Sequence, residues 1–124
     1  MIENYFESIF QELFVSHAIS SFKLLKREVG DEDGYIRVKC ILSNGDVLEL
    51  AEYFHIHKNK VQIDTYSYHW QTAAGKLVKR WDNVPHHKDV DTFPHHLHLS
   101  DGKVLKSSPM TFKKVLADIE KAIS

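Results

Sequence analysis

Five of the nine histidines in this 124-residue chain fall within the thirteen residues from His86 to His98. They form two Pro-His-His units, Pro85-His86-His87 and Pro94-His95-His96, nine residues apart, with His98 following the second. Proline fixes its own φ and drives the residue before it towards extended backbone, so each unit presents adjacent imidazoles from a stiffened chain. In extended backbone the two rings point to opposite sides, and one ring of each pair can face a common cleft. Imidazole titrates nearest neutrality, which lets two of them divide the work of acid and base. Cleavage of RNA by its own 2′-hydroxyl needs such a base, an acid for the leaving oxygen, and a cation for the charge at phosphorus. One histidine from His86/His87 and one from His95/His96 fit the first two roles. Arg80 and Lys79 supply the cation, and Tyr66, Tyr68, Trp70 and Trp81 offer unstacked bases a platform. On this reading the chain is a metal-independent endoribonuclease that needs no cofactor.

The same residues admit other chemistry. His96 and His98 stand at i, i+2 and share one face of a strand. With Asp82, Asp89 or Asp91 they make a plausible divalent-metal site, although no HExxH or other long-range zinc spacing accompanies them. A third reading is a binding module whose histidines only buttress a loop. Individual residues also have plainer uses. Tyr66, Tyr68 and Trp70 share one strand face and suit cross-strand packing as well as base stacking. His69 lies on the opposite face with Ser67, as a polar surface residue would. His55 and His57 fit exposed positions at a strand end, and Cys40 fits a small core position.

Composition narrows the field. A single cysteine excludes a disulfide framework within the monomer and any zinc site built from several thiolates. There is no apolar run long enough to span a membrane, and the acidic start Met1-Ile2-Glu3-Asn4 does not read as a secretory signal. No membrane association and a cytoplasmic location are therefore the expectation. Gly-rich phosphate loops, GxSxG elbows and helix-turn-helix signatures are absent. The formal net charge is −1, yet it is unevenly spread: residues 1–34 hold three Lys/Arg against seven Asp/Glu, and residues 58–80 hold five against one. Such segregation can steer a polyanion to one side of a molecule, or can simply be a mixed surface.

The elements that must position these residues follow from periodicity. Ile2, Phe6, Ile9 and Leu13, widened by Phe10 and Phe14, predict an amphipathic helix over the first 15 residues. Ser20 to Val29 is strand-compatible, and residues 30–34 form a loop. Ile36, Val38, Cys40 and Leu42 then alternate with Arg37 and Lys39 in a half-buried strand. Asn44-Gly45 predicts a type I′ hairpin that sets Arg37 opposite Glu52 and Leu42 opposite Val47. Strands follow over Lys60–Trp70 and Lys76–Trp81, joined through Thr72-Ala73-Ala74-Gly75. The stretch from Asp82 to Lys106 is polar and partly extended around Phe93 to Leu99. Ser108-Pro109 reads as a helix N-cap, before a second amphipathic helix carrying Phe112, Val115, Leu116, Ile119 and Ile123. The sum is one α+β domain over residues 1–124: an antiparallel meander of about five strands, with N- and C-terminal helices covering one sheet face.

Three blocks of this sequence resemble the TumE family of small prokaryotic toxins. They are Tyr66-Ser67-Tyr68-His69-Trp70-Gln71, the stretch from Gly75 to Asn83 ending in Arg80-Trp81-Asp82-Asn83, and the two Pro-His-His units with Thr92-Phe93 before and Leu97-His98 after the second. The resemblance is specific from Tyr66 to the C-terminal helix, and it extends to the first 60 residues only in layout. It implies a growth-inhibiting member of a type II toxin–antitoxin pair, neutralised by a cognate antitoxin that is typically a small DNA-binding regulator. It also promotes His69 to a candidate catalytic residue beside Arg80, His86, His87, His95 and His96. RNA as substrate is in keeping with such toxins.

Overall fold

The structure, a computed structural model, describes residues 1–83 and 94–123. Helix α1 (Ile2–Val15) leads into strands β1 (Ile19–Val29), β2 (Asp33–Leu42), β3 (Val47–His57), β4 (Lys60–Gln71), β5 (Leu77–Asp82), β6 (His96–Leu99) and β7 (Val104–Lys106), and helix α2 (Phe112–Ile123) ends the chain. All seven strands form one antiparallel sheet in sequence order. The expected α+β meander with terminal helices is therefore present, with two strands more than the five expected. The additions, β6 and β7, lie where the sequence is polar and short of apolar alternation. Among the described residues, no helix is long and apolar enough to cross a membrane.

Both helices cover one face of the sheet. Their apolar stripes, Ile2, Phe6, Ile9 and Leu13 on α1 and Phe112, Val115, Leu116 and Ile119 on α2, are buried. They meet the alternate residues of the central strands: Ile36, Val38, Cys40 and Leu42, then Leu48, Leu50 and Phe54, then Tyr66, Tyr68 and Trp70. The period-2 alternation of a strand thus defines an inner face, under the helices, and an outer face away from them. Phe10 and Phe14 flank the stripe and pack on Phe22 of β1, leaving Phe14 largely exposed. Burial pushes the Cys40 thiol up to about 12, so it stays an inert core group.

Turn chemistry sets the register. The expected type I′ turn at Asn44-Gly45 does not form. Leu42 N–H donates to Asp46 O at 2.8 Å and Gly45 N–H to Leu42 O at 2.9 Å. The loop is therefore three residues long, and within it Gly45 takes the positive φ, +92°. Arg37 consequently faces Ala51 rather than Glu52, and Val47 meets Ile41 rather than Leu42. This shift turns Glu52 to the inner face, opposite Ile36. There it is buried and accepts hydrogen bonds from Tyr5 Oη and, at 2.5 Å, from Tyr68 Oη. The same three-residue loop recurs at Ala73-Ala74-Gly75 and Ser100-Asp101-Gly102. A two-residue turn with positive φ at both positions does occur, at Lys58-Asn59 between β3 and β4. Helix α2 starts later than expected. Thr111 Oγ1, not Ser108, accepts the Lys114 N–H at 3.2 Å, as an N-cap does.

Candidate functional site on the outer sheet face

Antiparallel register places side chains in rows that run across the strands. One outer-face row reads Lys23, Lys39, Glu49, His69, Arg80, His98 and Val104, from β1 to β7. The adjoining row reads Lys26, Arg37, Ala51, Ser67, Asp82, His96 and Lys106. Arg80 therefore stands between two imidazoles, His69 on β4 and His98 on β6. Its Nη1 is 3.5 Å from His69 Nδ1. The Gly75 loop together with a one-residue bulge at Val78 sets the β4–β5 half of this arrangement, and the pairing of His98 with Arg80 sets the β5–β6 half.

Asp82 lies beneath the trio with its side chain 2 % exposed. Its Oδ2 accepts from Arg80 Nε at 2.9 Å and from His98 Nε2 at 3.1 Å, while its Oδ1 is 2.6 Å from His96 Nε2. One buried carboxylate thus orients a guanidinium and the His98 imidazole, with the His96 ring packed against it. A carboxylate can only accept, so the contact puts the His98 proton on Nε2 and the lone pair of its neutral form on Nδ1. Burial pushes the His98 imidazole below its ordinary value, and Asp82 opposes that shift. His96 is 1 % exposed and its Nδ1–H donates to the Pro94 carbonyl at 2.8 Å. His69 Nε2–H donates to Gln71 Oε1 at 3.1 Å, which turns its Nδ1 towards Arg80.

The remaining expected residues divide as follows. The Pro94-His95-His96 unit does send its rings to opposite faces. His95 goes to the inner side, where its Nδ1 shares a hydrogen bond with Tyr66 Oη at 2.8 Å and the two rings stack. Burial and the neighbouring His96 push its imidazole below its ordinary value. His95 is therefore separated by the sheet from Arg80 and His98. The expected base platform is core instead: Tyr66, Tyr68 and Trp81 are at most 4 % exposed, with Tyr68 Oη held by Glu52. Period-2 alternation had put Tyr66, Tyr68 and Trp70 on a common face, but only the seating of the helices shows that this face is the inner one. Lys79 is also on the inner side, where its Nζ meets Asp118 of α2 at 3.1 Å, so Arg80 alone of that pair reaches the outer cluster. His86 and His87 lie outside the described residues, as do Asp89 and Asp91. Of the metal candidates, Asp82, His96 and His98 do come together, with one ligand atom from each within 4.8 Å of the others. Next to the cluster, Asn83 clamps the end of β4, accepting the Tyr66 N–H at 2.9 Å and donating to the Asp64 carbonyl at 3.0 Å.

A one-layer antiparallel meander backed by two helices, with an imidazole–guanidinium–imidazole row on its open face, defines a small α+β protein equipped to bind an anion and move protons beside it. The family model for toxin TumE matches residues 6–123, nearly the whole chain, and the chain belongs to that family. Its role is thereby that of a toxin, and the match takes in the N-terminal half from Phe6 onwards as well as the histidine-bearing half. Comparisons with curated proteins and with solved structures gave no match.

Proposed function

We propose that this toxin is a metal-independent endoribonuclease, paired with a cognate antitoxin of the small DNA-binding type. The observation that carries the catalytic reading is the row His69–Arg80–His98 above Asp82. Adjacent strands are about 4.8 Å apart, so a phosphodiester held on Arg80 has an imidazole on each side, about 10 Å from one another. His98, held by Asp82 and kept neutral by burial, takes the proton of the 2′-hydroxyl. The 2′-oxygen then bonds to phosphorus while the bond to the 5′-oxygen breaks, and that oxygen receives its proton from Nδ1 of His69, which enters the step as the imidazolium and leaves it neutral. Arg80 stabilises the charge that develops on the non-bridging oxygens. The products are a 2′,3′-cyclic phosphate and a 5′-hydroxyl. His98 thus takes the part that the sequence had suggested for His95 or His96.

A specific observation favours a second reading: the donor N–H of His96 on a backbone carbonyl is how metal-ligating histidines are commonly oriented, and Asp82 and His98 stand beside it. Against it, the Asp82 carboxylate already accepts from Arg80 and His98. Antitoxin-free protein incubated with a mixed-sequence RNA decides between them. We expect cleavage that chelator leaves unchanged, cyclic phosphate ends, and losses of about 100-fold or more for His98→Ala and Arg80→Ala. No cleavage rejects the ribonuclease reading, and full activity in both variants rejects the row as its catalytic site. Activity abolished by chelator and restored by a divalent metal replaces it with the metal centre.

A further inference from the structure

The two outer-face rows reach well beyond the catalytic cluster. Together they carry Lys23, Lys26, Arg37, Lys39, Arg80 and Lys106 against Glu49 and Asp82, six cations to two carboxylates, on a chain whose net charge is −1. Lys23, Lys26, Arg37, Lys39 and Lys106 are all exposed. Two of these are in surface ion pairs, Arg37 with Glu49 at 3.3 Å and Lys26 with Glu28 at 2.9 Å. Such pairs are weak and exchange readily for a better anion. Lys23 and Lys39 face one another across β1 and β2 and form no ion pair among the described residues.

We infer that single-stranded RNA crosses the strands along this double row, with its backbone on the lysines and arginines of β1 and β2 and one phosphate on Arg80. The inference rests on the RNA reading of the catalytic row and adds the path the substrate takes to it. From Lys39 on β2 to His98 on β6 there are four strand spacings, about 19 Å, enough for several nucleotides. Lys106 on β7 continues the track beyond His96. The opposite end of the outer face is closed to a polyanion, because Asp31, Glu32, Asp33 and Asp64 gather around His55 and Tyr53 there. Tyr66, Tyr68, Trp70 and Trp81 are inside the core and the two rows hold no Phe, Tyr or Trp, so the track recognises backbone charge and is tolerant of base sequence.

The test uses the full chain and a 2′-O-methylated oligouridine, which cannot be cut by 2′-hydroxyl attack, in fluorescence anisotropy over a range of salt. The double variant Lys23→Gln, Lys39→Gln is expected to weaken binding at least tenfold. It is also expected to flatten the log–log salt dependence by about 0.7 per charge removed. Lys113→Gln with Lys114→Gln, on the helix side, is expected to change neither. Equal losses from the two pairs, or none from the first, overturn the track. So does a polyglutamate peptide of matching charge that displaces the RNA at lower concentration, since the face would then suit an acidic protein segment. The catalytic reading fails separately: binding with the expected lysine dependence but no cleavage of unmodified RNA leaves the track standing and removes the ribonuclease. Cleavage that ignores Lys23 and Lys39, including on long RNA, does the reverse.

Discussion

At the scale of single residues, Asp82 concentrates more of the site than any histidine does. Arg80, His96 and His98 all approach its two oxygens within 3.1 Å, and the carboxylate is almost wholly out of solvent. Removing the carboxylate leaves the buried His96 ring without its neighbour, while the Arg80 guanidinium, 38 % exposed, can turn back to water. Asp82→Asn is therefore expected to destabilise the fold by about 1–3 kcal/mol in urea denaturation. His98→Ala, whose side chain is one-fifth exposed, should cost far less. Equal midpoints for Asp82→Asn and the parent would show that the carboxylate does not organise the cluster. Much of this site was legible beforehand. The i, i+2 spacing of His96 and His98 put them on one face, and the extended Pro-His-His geometry sent His95 to the other. What could not be read was which strand each face would meet, since the long, proline-bearing connection from Asp82 to His96 fixes no register and hides the pairing of Arg80 with His98.

At the scale of elements, the arrangement depends on loops that hold the strands in register. The Gly75 loop closes with Thr72 N–H on Lys76 O at 2.8 Å and Gly75 N–H on Thr72 O at 2.9 Å, and a bulge at Val78 then moves the pairing one step, so that His69 faces Arg80 rather than Lys79. Gly75 has φ of +92°, and a Cβ built there meets nothing within 4 Å. A side chain at this position is thus opposed by backbone conformation alone. Gly75→Ala should cost about 1–2 kcal/mol, the usual penalty for placing an L-residue in the left-handed region. Gly75→Asn should recover part of that loss, because asparagine tolerates the region better. Chemical denaturation of the three proteins checks the order, and an alanine variant as stable as the parent would refute it. The Asn44-Gly45 hairpin shows the limit of reading register from residue types. The dipeptide correctly marked a turn, but Asn-Gly fits both a two-residue and a three-residue loop, and these differ by one step in pairing. Matching Arg37 with Glu52 chose the wrong one. Glu52 finds its partners instead in two tyrosine hydroxyls on the inner face.

At the scale of the whole molecule, the sheet separates two kinds of polar chemistry. The outer face carries the cations and the histidine row, while the inner face buries a lone carboxyl group under helix α1. Tyr5 from the helix and Tyr68 from β4 both donate to Glu52, so this group fastens helix to sheet at the centre of the core. Burial raises the Glu52 carboxyl above its ordinary value, and the two hydroxyl donors only partly offset that. The sign of the consequence follows from proton linkage. Between the unfolded value, about 4.3, and the raised folded value, the native chain holds a proton that the unfolded chain has released. This stabilisation is complete below the ordinary value and is lost as pH rises through the folded one. Glu52→Gln keeps the volume, removes the titration, and leaves one amide oxygen to accept and one amide nitrogen to donate between the two tyrosines. The parent should therefore lose stability between pH 5 and pH 8 by an amount that the glutamine variant does not, as read from urea midpoints at the two pH values. If the variant shows the same decline as the parent, the decline belongs to other groups, and Glu52 is held in the core without setting its pH response.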